Sequence, residues 1–240
     1  FQAYWAPLMS QGPIEVMLFG DFDKATAVAA LEKSFGALRP RAPVAVAPAA
    51  KTVNFPAPIE APVRLTHKGS SDQAAAVMAW PTGGGIAGIT EGRQLEILAA
   101  VFRDRLFEKF RAEQAASYSP DMAASWPKDF TSGGYLMAYT QVKPADVERF
   151  FDFANEVAAD LSTNPVSADE LQRAVEPMKQ AVERAASGNT FWLNQLKGAT
   201  YDPTRFVALG RLYSDYTEVT PDQLQILAKR YFVKEKSWKL

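Results

Sequence analysis

The chain has 240 residues, of which 48% are hydrophobic, and its 26 basic residues nearly balance its 27 acidic residues. This length and hydrophobic content suffice for one large domain, or for one domain and part of another. The balanced charge, with no basic stripe, argues against a nucleic-acid partner, because phosphate backbones require clustered Lys and Arg. The longest uninterrupted apolar run, Ala74–Trp80, is too short to cross a bilayer, so the sequence predicts no membrane span.

The residue types that usually carry hydrolytic chemistry are scarce. The sequence has no Cys and a single His, His67. Catalytic zinc usually takes three protein ligands rich in His, so this chain can hardly build such a site alone. The same counts exclude cysteine nucleophiles and most Ser-His-Asp triads, and no Gly-x-Ser-x-Gly motif occurs. We favour a structural or surface position for His67 over a role as ligand or base, because no second His or Cys accompanies it.

The first 39 residues predict a strand followed by a helix. Ile14–Phe19 is a short apolar run of the kind that forms a buried strand. Asp23 is a suitable N-cap for a helix from Lys24 to Phe35. The aromatic residues of Phe1–Trp5 are typical of the middle of a helix rather than of a natural terminus. We therefore interpret residues 1–39 as the tail of a preceding lobe, cut from a longer protein.

A proline-rich segment, residues 40–62, follows this tail. Its six prolines lie among alanines and valines and favour extended, poorly paired backbone. We interpret it as a linker to a C-terminal lobe of residues 63–240. At the start of that lobe, Val63–Thr66 and Gln73–Trp80 predict two strands separated by a polar turn.

A long amphipathic helix follows, and it sets the position of the two candidate site residues. The apolar stripe of this helix faces the core and ends at Phe110. Arg111 is the next residue, about 100° further round the helix, so it lies at the rim of the apolar face. Tyr118 comes seven residues later, at the start of an extended segment. Both side chains can bind a peptide carbonyl. From spacing alone we favour a simpler interpretation, in which Arg111 pairs with Glu108 and Tyr118 packs at a strand end. The stripe consists of Leu95, Leu98, Ala99, Phe102, Leu106 and Phe110.

The rest of the chain completes an α+β pattern. Met122–Trp126 and Gly134–Val142 predict an antiparallel pair, and the second strand is apolar enough on both faces to predict that both are covered. A stripe from Val147 to Leu161 predicts an amphipathic helix, and capping boxes begin two further helices at Ser167 and Thr220. We expect helices packed on one face of a mostly antiparallel sheet.

Four stretches together resemble the pitrilysin and insulinase family of zinc peptidases, the inverzincins, which also includes the mitochondrial processing peptidases. The family's zinc motif, His-x-x-Glu-His, is absent here. The resemblance implies a metallopeptidase-lobe fold of the processing-peptidase type. It also implies that zinc in the intact enzyme is bound by a metal-bearing N-terminal half or partner subunit, and that this chain binds none. The four stretches are Ile14–Asp23 with the helix ending at Gly36, Arg64–Gly69, Leu106–Arg111 with Tyr118 and Ser119, and Thr220–Leu224.

In proteins similar to this one, a metal-free second half closes over an extended peptide, and an Arg followed seven residues later by a Tyr binds the substrate backbone. Arg111 and Tyr118 have that spacing, with Glu113 and Gln114 between them as in similar members, and Ser117 replaces the Gly that often precedes the Tyr. Metal-bearing halves also end in a lobe with such a pair, so the resemblance leaves both halves open. It implies a substrate-binding and chamber-closing part of a zinc metalloendopeptidase that contains no catalytic residues and is inactive alone.

A function of a different class stays open, namely a non-catalytic scaffold or assembly subunit that resembles the core proteins related to processing peptidases. In that case the apolar stripes serve assembly, whereas Arg111 and Tyr118 are dispensable. The resemblance to bacterial proteins also suggests a periplasmic or other extracytoplasmic location. The two hypotheses differ in whether the Arg111 and Tyr118 pair contacts a substrate.

Overall fold

The computed structural model describes residues 1–41, 44, 47–112 and 119–240. Helices predominate in these residues, and six of them follow one another between β3 and β4. The strands are β1 Ala74–Gly83, β2 Asp121–Ser125, β3 Ser132–Val142 and β4 Trp238–Lys239. The helices are α1 Gln2–Met9, α2 Lys24–Lys33, α3 Ile89–Ala112, α4 Val147–Thr163, α5 Ala168–Ala185, α6 Asn189–Leu196, α7 Thr204–Gly210, α8 Leu212–Thr217 and α9 Pro221–Tyr231.

The four strands form one antiparallel sheet in the order β2-β3-β1-β4. In the central pair, Ala74 lies opposite Val142 and Trp80 lies opposite Leu136. Helices α3, α4 and α9 contact the strands, and α5 and α8 pack against α3. The predicted α+β class, with helices on an antiparallel sheet, is confirmed.

The core lies between the sheet and these helices. Every residue of the predicted α3 stripe is buried, because the period of the stripe matches the helical turn. The rings of Trp80, Phe102 and Phe232 pack with centroids 5.1 to 5.8 Å apart. Phe110 continues the cluster towards α4, with its ring centroid 5.0 Å from that of Phe153. The end of α3 is therefore fixed by a buried aromatic side chain.

The prediction that both faces of the second strand are covered is wrong. On β3, Leu136, Ala138 and Thr140 face the helices and are buried. The side chains between them lie on the opposite face and remain at least partly exposed, because no described helix packs there: Tyr135, Met137, Tyr139 and Gln141. The sheet therefore has one open, largely apolar face.

Two predicted strands do not form in the described part of the chain. Ile14–Phe19 forms no regular element, because no described strand pairs with it. Val63–Thr66 also lacks a ladder, although the Val63 N–H donates to the Lys239 carbonyl at 3.0 Å. Apolar content predicts extended backbone, whereas a strand also requires a neighbouring strand. The predicted cap of α2 is confirmed, since Asp23 accepts from the Thr26 N–H at 2.8 Å.

Trp126 joins the end of β2 to the start of α3 by packing on glycines. A Cβ atom placed on Gly83, Gly88 or Gly92 would lie 2.5 to 2.6 Å from the Trp126 ring. The indole N–H also donates to the Gly85 carbonyl at 2.8 Å. The ring thus occupies the space that side chains would need, which explains the glycines around the start of α3.

We expect Gly92→Ala to lower the free energy of unfolding by about 2 kcal/mol, because the methyl group would overlap the Trp126 ring. Gly210→Ala is the matched control, since it is also helical and a Cβ there would meet no atom within 4 Å. That control should be neutral or stabilising by up to about 1 kcal/mol, as expected from helix propensity. Urea denaturation measures both, and equal effects of the two substitutions would contradict this packing.

A partly buried ion cluster anchors α3 to α4 and α5. The Arg105 guanidinium donates to both carboxylate oxygens of Glu170, at 2.8 and 3.1 Å, and to Asp160 at 2.6 Å. Glu170 also accepts from Ser167, completing the predicted capping box of α5. The Arg105 hydrogen bond is the main cause that lowers the pKa of Glu170 to about 2. One carboxylate therefore holds both the start of α5 and the flank of α3.

The pKa of Glu170 in the folded protein lies below its value in the unfolded chain, which is about 4.3. Ionised Glu170 therefore stabilises the fold at any pH above about 4.3. This contribution is lost as the pH falls from about 4 to 2. Its side chain is 23% exposed. We expect Glu170→Gln to cost about 2 kcal/mol at pH 7 after allowing for solvent screening, and to flatten the acid limb of a stability profile. Glu176→Gln, on the same helix, is the control. Parallel acid limbs for wild type and Glu170→Gln would refute this role.

Candidate functional site

Arg111 lies on the last turn of α3 and points into solvent. It directly follows Phe110, whose ring is buried, so the helical phase places its side chain outside the core. The Arg111 side chain is 70% exposed, and its guanidinium lies 3.9 Å from the Glu108 carboxylate. An exposed pair at this distance holds a side chain weakly. Arg111 is therefore available to a ligand while the helix that carries it is fixed.

The second predicted residue, Tyr118, lies outside the described residues, as do Glu113, Gln114 and Ser117. The description resumes at Ser119, which is exposed, and at Pro120, which is buried just before β2. That Arg111 and Tyr118 together bind a substrate backbone thus stays a prediction.

A cleft of about 840 Å³ runs along the C-terminal half of α3. Its lining comes from α3, α4 and α5 and is rich in charged groups, among them Arg105, Lys109 and Arg173. All three cations are already paired: Lys109 donates to Glu156 at 2.7 Å, Arg105 belongs to the cluster with Glu170, and Arg173 donates to Asp169. These ion pairs hold α3 in place on this side. The cleft extends as far as Ala112, the last residue of α3.

The open face of the sheet carries a second groove, of about 560 Å³, beside the start of β2. Its lining includes Val77 of β1, Met137 and Tyr139 of β3, and Ser119. The Tyr139 hydroxyl donates to Asp121 at 2.7 Å, and this hydrogen bond raises the pKa of the tyrosine. The groove thus has an apolar floor with a few polar groups at its rim. Ser119, the residue that follows Tyr118, is part of its lining.

His67 occupies an exposed turn rather than a site. One ring nitrogen lies 3.0 Å from the Gln73 carbonyl oxygen, and the other accepts from the Gly69 N–H at 2.9 Å. Both nitrogens are thus engaged with backbone groups. The prediction of a surface or structural His67 agrees with this geometry.

Sequence reasoning missed a buried polar cluster at the N-terminal end of α3. The Arg93 guanidinium donates to Asp215 and to the Ala208 carbonyl, each at 2.7 Å, and both charged side chains are almost fully buried. Beside it, the Tyr216 hydroxyl donates to Glu96, and burial raises the pKa of Glu96. In the sequence, the feature that could have indicated this cluster was Arg93, a charged residue beside the apolar stripe. The cluster lies about 27 Å of helix from Arg111 and joins α3 to α7 and α8, so we assign it a structural role.

Residues 1–41, 44, 47–112 and 119–240 lack the features of a metal site and of a membrane span. They hold no group of three or more His, Cys, Asp or Glu side chains that could bind a metal ion. Within the same ranges, every helix is too short or too polar to span a bilayer.

Comparison with solved structures places this fold among peptidase domains. A conserved protein from Enterococcus faecalis V583 matches with a TM-score of 0.77 and 16% identity, over 99% of this chain and 54% of that one. The periplasmic protease PqqL from Escherichia coli matches with a TM-score of 0.70 and 14% identity, over 92% of this chain and 24% of that one. A peptidase M16 inactive domain from Pseudomonas fluorescens matches with a TM-score of 0.68 and 17% identity, over 92% and 50%.

These identities establish a shared fold, and the chain spans between a quarter and about half of these three proteins. Among curated proteins, none matches the sequence. The family model of the peptidase M16 inactive domain matches residues 1–178, which is well over half of the chain. The chain therefore belongs to the peptidase M16 inactive-domain family.

Proposed function

We propose that this chain is the substrate-binding and chamber-closing part of a zinc metallopeptidase, and that Arg111 and Tyr118 bind the backbone of an extended peptide. The metal and the general base lie on a metal-bearing half or a partner subunit, which supplies the hydrolytic chemistry. Membership of an inactive-domain family and the absence of the His-x-x-Glu-His motif support a non-catalytic role for this chain.

The observation that carries the proposal is the combination of an exposed Arg111 and a firmly held helix end. Phe110 is buried, and Arg105 and Lys109 pair with α4 and α5, so the last two turns of α3 are fixed. The guanidinium projects from this end, and among the described residues its ion-pair partner is Glu108, at 3.9 Å. A cation on a rigid support can meet a peptide carbonyl without first breaking a strong ion pair.

The chemistry requires such a donor. During hydrolysis the scissile carbonyl oxygen gains negative charge, and a pre-positioned cationic or phenolic donor stabilises that charge. Arg can present parallel N–H groups in a fixed plane, so it also orients the peptide. These donors need not share a chain with the metal, which is why a metal-free lobe can still contribute to the rate.

We also propose that residues 1–39 belong to a preceding lobe, with residues 40–62 as the linker to the lobe of residues 63–240. No residue of α1 or α2 is buried. A surface of this apolar content usually marks an interface. The exposed side chains are Phe1, Tyr4, Trp5, Leu8, Met9, Ile14, Val16, Leu18, Phe22, Val28, Phe35 and Leu38.

One polar contact ties this segment to the C-terminal lobe. The Glu15 carboxylate accepts from the Gly198 N–H at 2.6 Å and from the Thr200 hydroxyl and N–H at 2.6 and 3.2 Å. These hydrogen bonds, led by that of the Thr200 hydroxyl, lower the pKa of Glu15. The preceding lobe would then be positioned by this contact while its apolar surface packs elsewhere.

Because one structural relative is a periplasmic protease, we extend the proposal to a periplasmic location, which cell fractionation would test.

We expect Arg111→Gln to lower kcat for peptide hydrolysis about 10²- to 10³-fold when the chain is reunited with its metal-bearing half, since it removes a donor to the developing oxyanion. Tyr118→Phe should act in the same direction. Arg103→Gln is the matched control, because Arg103 is also exposed on α3 and pairs with Asp104. Steady-state kinetics on a peptide substrate measures the effect. Unchanged hydrolysis by both Arg111→Gln and Tyr118→Phe would sink the proposal and favour the scaffold function.

A further inference from the structure

The groove on the open face of the sheet, which we call the sheet groove, is a recess between β1 and β3. Ala75 lies opposite Gln141 in the register of the sheet. Val77 lies opposite Tyr139 in the same way, so these four side chains share one face. The β1 side chains are smaller than their β3 partners, which leaves space above β1. That space has a volume of about 560 Å³, within the range of about 300 to 1,000 Å³ that is usual for ligand pockets.

The lining of the sheet groove is uncharged. Val77 and Met137 supply apolar surface that is partly exposed. Tyr139 stands at the rim, where its hydroxyl donates to Asp121 at 2.7 Å. Among the described residues, no Asp, Glu, Lys or Arg lines the groove. Because a charged group would lose water there without gaining an ionic partner, the groove fits an apolar side chain better than a charged one.

The sheet groove adjoins one of the residues that the proposed function assigns to the peptide backbone. Ser119 is part of its lining and is bonded to Tyr118. An extended peptide places alternate side chains on the same side, about 7 Å apart. A peptide whose backbone is held beside Tyr118 would therefore present a side chain to the groove within one or two residues.

We propose that the sheet groove binds an apolar side chain, such as that of Leu or Phe, of this extended peptide. The inference rests on the proposed function, in which Arg111 and Tyr118 hold the peptide backbone. It adds the class of substrate, namely peptides with an apolar residue close to the cleaved bond. A concave, mostly apolar recess with a few polar groups at its rim is typical of ligand sites. This shape favours a peptide side chain over the surface of another lobe.

The test uses pairs of peptides that differ by Leu or Asn at one position, which is moved along the residues around the cleaved bond. Leu and Asn are similar in size, so each pair compares polarity. In the chain reunited with its metal-bearing half, we expect kcat/KM to be about tenfold higher with Leu at one position, because the groove removes part of that side chain from water. Ala75→Leu fills the groove and should reduce this ratio to about one. Ala75 is exposed, so the substitution spares the core.

Ala123→Leu is the matched control and should leave the ratio at about ten. Ala123 lies on the same face of the sheet, opposite Met137, but outside the lining of the groove. If Arg111→Gln lowers hydrolysis while Ala75→Leu leaves the ratio unchanged, or if the wild type shows no preference for Leu, this inference is wrong and the proposed function stands. Unchanged hydrolysis by both Arg111→Gln and Tyr118→Phe would instead be the failure of the proposed function.

Oxidation of Met137 by hydrogen peroxide distinguishes a peptide from a neighbouring lobe as the occupant, since methionine oxidation follows exposure. In the reunited protein, a non-cleavable peptide that carries Leu should slow the oxidation of Met137 about threefold. Met9, which lies outside the groove, should react at the same rate with and without the peptide. Protection of Met137 by the metal-bearing half alone, before peptide is added, would overturn the proposal in favour of a contact between lobes.

Discussion

The burial of one face of α3 is the constraint on which the rest of this lobe depends. Its apolar stripe ends at Phe110 in contact with α4, while Arg93 at the other end is buried against Asp215. Ion pairs from Arg105 then fix the flank of the helix to α4 and α5. With both ends and one flank held, the helix has a single rotation about its axis, and that rotation leaves Arg111 in water. The packing of the core therefore also determines the position of Arg111 in the candidate site.

The surfaces that this lobe leaves unsatisfied are consistent with its being part of a larger assembly. Residues 1–38 expose a large apolar surface, and within the described residues the sheet has one open face. These features are of different kinds, and each would be satisfied by a chain segment from elsewhere. In contrast, the interior between the sheet and the helices is densely packed with aromatic and aliphatic side chains. The peptidase proposal assigns the open surfaces to contacts with other lobes and with an extended substrate.

Much of this architecture follows from local sequence patterns. The α3 stripe, the β2 and β3 pair and the capping boxes at Ser167 and Thr220 are all visible in the sequence because they depend on residues close together in the chain. The failures involve partners distant in sequence. Ile14–Phe19 has the composition of a strand, but no strand of the described residues pairs with it, and no described helix covers the face that carries Tyr139. The burial of Arg93 depends on Asp215, which lies more than a hundred residues away along the chain, so the charge beside the stripe could not show which residue would pair with it.

The proposed function makes this chain one part of a larger peptidase, with residues 1–39 in a neighbouring lobe. Hydrogen exchange of the 240-residue chain, compared with the same residues within the longer polypeptide, tests it most directly. We expect slower exchange for Ile14–Phe19 in the longer polypeptide, because these amides would gain strand partners, and unchanged exchange in the middle of α5. Equal exchange of Ile14–Phe19 in both would contradict it.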